Sequence, residues 1–275
     1  MKIRFFCPRW GQSHLPWEEF ARQVKTAGFD GVETDIPDDP AVLEDMLRSL
    51  SQYDLLLIAQ HWQTVDPDFE AHAAAYAKRL EQMAAVRPLF INSQTGRDFF
   101  PPEKNEALLS IAAQTAAATG IPVYHETHRG KFSFAAHVTA AFLQRLPDLR
   151  LTLDISHWFA VAETFLHDQQ QAVEEAIAHT SHVHARIGHT QGPQVPDHRT
   201  PDAREALLAH LACWDKVVAT RLQAQAPLLT FTAEFGPPPY MLLSPDTGRP
   251  LADQWDLNVS MTRMLKERYA PYSSS

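Results

Sequence analysis

Eight short apolar runs alternate with amphipathic helical segments along the 275 residues of this chain, and the runs recur about every 30 residues through the seventh. They fall near 2–7, 30–35, 54–60, 88–93, 121–126, 150–154, 181–186 and 228–234, and are rich in the β-branched and aliphatic residues that suit a buried pleated surface. The spacing predicts helices over 17–28, 40–53, 69–86, 106–120 and 133–146, with three more after the sixth, seventh and eighth runs. The last of these lies near 254–270. Gly28 and Gly120 stand where a helix C-terminus takes a left-handed residue, and Pro40 and Pro201 stand near helix starts, where a missing N–H costs nothing. Eight βα units in a chain of this length read most economically as a (βα)8 TIM barrel, with a doubly wound sheet as the runner-up. A single domain over residues 1–270 is expected, followed by a disordered tail, 271–275.

The eighth run comes late. The excess lies in residues 187–203, whose Pro, Gly and His content marks a long loop at the rim where barrel ligands bind. The C-terminal helix carries a stripe through Trp255, Leu257, Met261, Met264 and Leu265, which fits either sealing the barrel or a contact in a homo-oligomer.

Composition excludes several classes. The formal charge is −9, from 24 basic and 33 acidic residues, opposite to the basic footprint of a nucleic-acid binder. No run of 18 apolar residues occurs and the first residues read as a strand, so neither membrane insertion nor a signal peptide is expected and a cytoplasmic location is. Two cysteines, Cys7 and Cys213, make no disulfide framework and no zinc module. A small-molecule substrate is the default partner.

Four of the runs end in a metal-ligand type: Glu126, Asp154, His184 and Glu234. In parallel α/β folds the C-terminal strand ends converge over one mouth, so four such residues on successive strands can meet at a point. Three carboxylates and an imidazole suit one divalent ion, Mn²⁺, Mg²⁺, Co²⁺ or Zn²⁺. Strand-end carboxylates also cap the next helix, an alternative open for each residue taken singly. Alternation puts His182, His184 and Arg186 on one face, and Thr230, Thr232 and Glu234 on another, with His182 one layer deeper than His184.

The ordered set resembles the xylose-isomerase-like TIM-barrel superfamily of sugar phosphate isomerases and epimerases, over nearly the whole chain. That resemblance implies Glu126, Asp154 in LDISHW, His184 in HVHAR and Glu234 in AEFG as ligands of one divalent metal, with His157, three residues after Asp154, touching substrate. It further implies Glu126 and Glu234 as the acid/base pair of a sugar, sugar-acid or keto-polyol isomerase or epimerase working through an enediolate. Ketose 3-epimerases of that superfamily carry an acidic residue six positions after the first glutamate and an arginine six after the histidine. Here those positions hold Phe132 and Thr190, which speaks against a free-ketose epimerase.

Arg9, Arg97, Arg129 and Arg186 lie at or just beyond strand ends and raise the expectation of an anionic substrate or enediolate, since guanidinium forks match carboxylates and phosphates. Trp10, His61 and Glu33 complete the expected substrate contacts, and the HETHRG run at 125–130 gathers polar side chains after the fifth strand, with a helix-capping role for Thr127 an equal alternative. Rival functions are a dehydratase of the inosose or dehydroshikimate type, an endonuclease IV-like hydrolase and a non-catalytic barrel.

Overall fold

The computed structural model describes residues 1–273. Eight parallel strands close into one barrel in sequence order: β1 (Lys2–Pro8), β2 (Gly31–Thr34), β3 (Leu56–His61), β4 (Ile91–Ser93), β5 (Val123–Glu126), β6 (Leu151–Leu153), β7 (Thr180–His184) and β8 (Leu228–Thr232). Closure is between the first and last strands, with Lys2 opposite Leu228 and Phe6 opposite Thr232.

Nine helices ring the barrel among the described residues: α1 (Trp17–Thr26), α2 (Pro40–Gln52), α3 (Phe69–Ala85), α4 (Pro102–Thr119), α5 (Ala136–Arg145), α6 (Ile155–Ala162), α7 (Gln170–His179), α8 (Arg204–Gln223) and α9 (Gln254–Tyr269). Local chemistry sets several ends. Asp39 caps α2 by accepting from Ala41 N at 2.8 Å, ahead of Pro40 at the first helical position. Gly120 closes α4 in the left-handed region at φ 73°.

Three boundaries depart from the sequence reading. Helix α4 starts four residues before the expected position, because Pro102 occupies its first turn, where the fixed φ of proline is already helical. Helix α5 starts late because Ser133 is drawn into tertiary bonds, its hydroxyl donating to Glu126 O and its carbonyl accepting from the Trp158 indole at 2.7 Å. The single helix expected after β6 is two, divided where Glu163 and Leu166 turn left-handed at φ 55° and 60°. Of the expected disordered tail, Pro271 and Tyr272 belong to a closing 3₁₀ turn, and the Ser273 hydroxyl accepts from Ile3 N at 3.3 Å. Residues 274 and 275 lie outside the described residues.

The apolar interior has separate layers. Outward-facing strand residues pack on the helices in two large clusters, one around β2–β4 with α1–α4 and one around β6–β8 with α6–α9. Inside the barrel, Phe6, Ile58 and Phe90 plug the lower end. Above that plug the lining turns polar, and every polar side chain there must find a partner. The long loop 187–203 is tied down rather than free: Gln194 donates to Gly236 O at 3.1 Å and accepts from Gly236 N at 2.7 Å. Among the described residues no helix is long and apolar enough to cross a membrane.

Candidate metal centre

Strand alternation carries the inward polar residues into two layers. The deeper holds Glu33 of β2 and His182 of β7, both buried. His182 Nε2 lies 3.1 Å from Glu33 Oε2, and its Nδ1 faces Thr230 Oγ1 at 2.7 Å. The Thr232 hydroxyl also donates to Glu33. Burial alone would raise the Glu33 carboxyl, but the two histidines hold it well below the ordinary carboxylate range.

The upper layer brings together the four residues expected to ligate metal. Glu126, Asp154, His184 and Glu234 each offer a ligand atom, all within 4.8 Å of one another, and all four side chains are buried. His184 Nδ1 stands 2.9 Å from Glu234 Oε2 and 3.6 Å from Glu126 Oε1, but makes no aligned hydrogen bond, while its Nε2 sits 3.0 Å from Glu33 Oε1. A buried ring nitrogen without a hydrogen-bond partner, facing three carboxylates, is what a metal ligand looks like before its ion is added. The donor set therefore fits a single divalent ion of the hard-to-borderline class. Burial opposes a charge on His184, yet Glu234, Glu33 and Glu126 outweigh it and raise its pKa well above the ordinary value. Burial likewise opposes ionisation of Glu126, and His184 overcomes it, lowering that carboxyl to about 2.

Neutral amides hold these carboxylates. Asn92 Nδ2 donates to Glu33 Oε1 at 2.7 Å and Glu126 Oε2 at 3.2 Å, Gln94 Nε2 donates to Glu126 Oε2 at 3.2 Å, and Gln60 Nε2 donates to Glu234 Oε1 at 3.0 Å. Asp154 is both cap and candidate ligand. Its Oδ1 accepts from Ser156 N at 3.0 Å at the start of α6, and its Oδ2 accepts from Arg186.

The eight expected substrate contacts divide. Arg9, Trp10 and Arg186 line a cavity of about 370 Å³ at the C-terminal mouth, together with Glu126, Glu234 and Tyr240. Arg186 is held there by one edge of its guanidinium: Nη2 donates to Asp154 and, at 2.8 Å, to His157 Nε2, and Nε donates to Ser156 Oγ at 3.3 Å. The other five do not line the cavity. His157 is buried behind Arg186, and Glu33 lies in the layer below. His61 faces away from the barrel axis because its neighbour Gln60 faces in. Its ring meets Ser93 Oγ, Thr64 Oγ1 and the ring of Tyr76 on α3. Arg97 donates to Val65 O at 3.0 Å, joining two rim loops, and exposed Arg129 lies 5.2 Å from the Tyr240 ring. Thr127 caps no helix; its hydroxyl donates to Asp154 O and accepts from Asp154 N, stitching β5 to β6.

Sequence reasoning missed Gln60, Asn92, Gln94, His128 and Tyr240. The alternation that placed Glu126 inward also places Gln60 and Asn92 inward, but uncharged amides raise no alarm. His128 shares the face of Glu126 two residues on and lines the cavity, its Nδ1 donating to Arg129 O. Tyr240 follows a proline run without periodicity, and nothing in the sequence marks it.

No curated protein sequence matches this chain. Among solved structures it is similar to the apo form of a 3-keto-D-glucoside 4-epimerase from E. coli, with a TM-score of 0.62 at 17% identity, covering 97% of this chain and 100% of that one. It is similar to a probable 3-DHS dehydratase from Bacillus anthracis, with a TM-score of 0.61 at 15% identity, covering 98% and 100%. It is also similar to endonuclease IV from Thermus thermophilus, with a TM-score of 0.56 at 13% identity, covering 98% and 100%. At such identities these likenesses speak for a shared barrel. The profile of the xylose isomerase-like TIM barrel matches residues 21–207, about two thirds of the sequence, and the chain belongs to that family.

Proposed function

We propose that this protein is a divalent-metal-dependent isomerase or epimerase that moves a proton on a sugar-like substrate. The observation that carries the reading is the convergence of Glu126, Asp154, His184 and Glu234 within 4.8 Å, with the His184 ring nitrogen unpartnered among carboxylates. These four residues would hold a divalent ion, which would supply Lewis acidity to a carbonyl and its adjacent hydroxyl and so acidify the C–H of the hydroxyl-bearing carbon.

The chain's own groups move the proton. Glu126 from β5 and Glu234 just beyond β8 both line the cavity and stand on different strands around the mouth. Each is oriented by amide donors, Gln94 and Asn92 for Glu126 and Gln60 for Glu234. One carboxylate, ionised, takes a proton from carbon, and the other, protonated beforehand from solvent, delivers its own proton from the opposite side, so that the pair ends with its protonation exchanged. Return to the same carbon inverts it, and return to the neighbouring carbon exchanges carbonyl and hydroxyl. His128 assists from the wall. Burial lowers its pKa to about 4, so the ring is neutral at pH 7, and with Nδ1 donating to Arg129 O its Nε2 is left to accept from a substrate hydroxyl.

Glu126, His128 and His157 form a second cluster of ligand types. Arg186 stands 2.8 Å from His157 Nε2, and a cation so placed opposes a second metal ion, which argues against a polynuclear hydrolase. Loss of a β-hydroxyl after the same proton abstraction would make a dehydratase, and product identity separates the two.

Elemental analysis of the purified protein and of Glu126→Gln, His184→Ala and Glu234→Gln tests the reading. About one divalent ion per chain, lost in the variants, followed by C–H exchange of keto sugars in deuterated water, is the expected result. A wild-type protein that takes up no metal would overturn it.

A further inference from the structure

The sides of β3, β4 and β5 that face away from the barrel axis carry polar groups that the proton transfer does not use. Strand alternation gives each inward residue outward neighbours: His61 follows Gln60, Ser93 and Thr95 flank Gln94, and His125 precedes Glu126. These four outward side chains are buried in the layer between strands and helices, and buried Tyr76 of α3 joins them there. Across the barrel, the strand residues next to Asp154, His184 and Glu234 are Leu153, Val183, Ala185, Ala233 and Phe235, all packed in the apolar layer. Polar groups in such a layer cost desolvation that apolar packing avoids, and they persist where each finds a partner.

Here they are partners of one another. The Tyr76 hydroxyl lies 3.0 Å from both Ser93 Oγ and Thr95 Oγ1, which are 2.8 Å apart, so three hydroxyls close a triangle. Imidazoles extend it on both sides: His61 Nδ1 is 3.2 Å from Ser93 Oγ, and His125 Nδ1 is 2.7 Å from Thr95 Oγ1. Each hydroxyl has one proton to donate, so the orientation of each depends on the others.

The triangle sits where the ladder between β4 and β5 ends. Strand β4 is 3 residues long, and its last pair with β5 is Ser93 opposite His125. Gln94 lies beyond that pair, yet its amide reaches across the same gap to Glu126 Oε2 at 3.2 Å. On the outer side Thr95 and His125 make the matching bond across the gap, and Ser93 with His61 ties β4 to β3. The backbone links the two sides, because a shift of Thr95 carries Gln94 with it and a shift of His125 carries Glu126.

We propose that Tyr76, although outside the barrel, is a positioning residue for the candidate site: through Ser93 and Thr95 its hydroxyl sets the aim of Gln94 at Glu126. That this aim serves metal binding and proton transfer rests on the reading above, whereas the coupling of Tyr76 to Gln94 does not.

A double-mutant cycle of Tyr76→Phe and Gln94→Leu in metal-free chemical denaturation tests the coupling. A tyrosine that only packs would give additive losses. Tyr76→Phe is instead expected to lower the folding constant at least about threefold more in the wild-type background than beside Gln94→Leu, where no amide is left to misplace. Additive losses would overturn the proposal. If Tyr76→Phe does not fold, Thr95→Val and the hydroxyl-retaining Thr95→Ser enter the same cycle, and coupling is expected of the first alone; coupling in both or in neither would overturn it. Titration of Mn²⁺ into the same proteins, followed by the EPR signal of the free ion, reads the consequence at the site. Tyr76→Phe should weaken Mn²⁺ binding about tenfold, and far less once Gln94 is replaced. Unchanged affinity in Tyr76→Phe would also overturn the proposal. A coupled cycle in a protein that binds no Mn²⁺ would sink only the metal reading and uphold the link from Tyr76 to Gln94.

Discussion

The two halves of the barrel mouth are built from different chemistry. The half from β5 to β8 carries charge: Glu126, Asp154, His184 and Glu234, with Arg186 above them. The half from β1 to β4 presents mainly amides, Gln60, Asn92 and Gln94, with the acid Glu33 set one layer lower and Arg9 and Asp35 on the cavity wall just beyond their strands. The difference shows a division of labour. One half supplies the charges that could hold a metal and move a proton, and the other supplies neutral donors that fix where those charges point without cancelling them. A symmetric mouth with eight charged ends would be costly to bury, and one with eight amides would have no acid or base.

Removing the buried guanidinium of the charged half should have the largest effect. Arg186→Met leaves Asp154 buried without its guanidinium partner, and a loss of about 3–5 kcal/mol in metal-free chemical denaturation is expected. A loss below about 1 kcal/mol would mean that Asp154 is satisfied by Ser156 alone. On the amide half, Asn92→Leu removes a donor shared by Glu33 and Glu126, so about 2 kcal/mol of stability should go. If that variant is as stable as wild type, the neutral half does not orient the charged one.

The smallest effect concerns pH. The His184 pKa is raised well above its ordinary value, so in the metal-free protein its stabilising contribution is complete below about pH 6.5 and is lost as pH rises through the raised folded value. Glu33 is held well below the ordinary carboxylate range, stays ionised there and adds no slope of its own. The stability gap between wild type and His184→Gln should therefore narrow on the alkaline side. Parallel pH profiles for the two proteins would break the link between His184 and its carboxylates.

Legibility in the sequence follows the same division. Glu126, Asp154, His184 and Glu234 were readable because an ionisable side chain closing an apolar run is conspicuous, and alternation then fixes its face. Gln60 and Asn92 obey the same alternation, but a buried amide is ordinary, and only Glu234 and Glu126 beside them reveal the use. Arg97, His61 and Arg129 look in sequence like Arg186, since each is a polar residue near a strand end. Their different fates depend on Val65 O, Tyr76 and Tyr240, partners far along the chain. At the C-terminus a serine run carries no sign that the Ser273 hydroxyl meets the first strand at Ile3 N.

The eightfold alternation, and with it the barrel and the four ends that meet at its mouth, can be read along the chain, because periodicity and burial are properties of neighbouring residues. That Arg186 is paired with Asp154, that Arg9 braces a loop and that Trp62 stands open over the cavity emerges when the fold is assembled. Engagement depends on which distant groups arrive within about 3 Å, and that is fixed by barrel closure rather than by any local pattern.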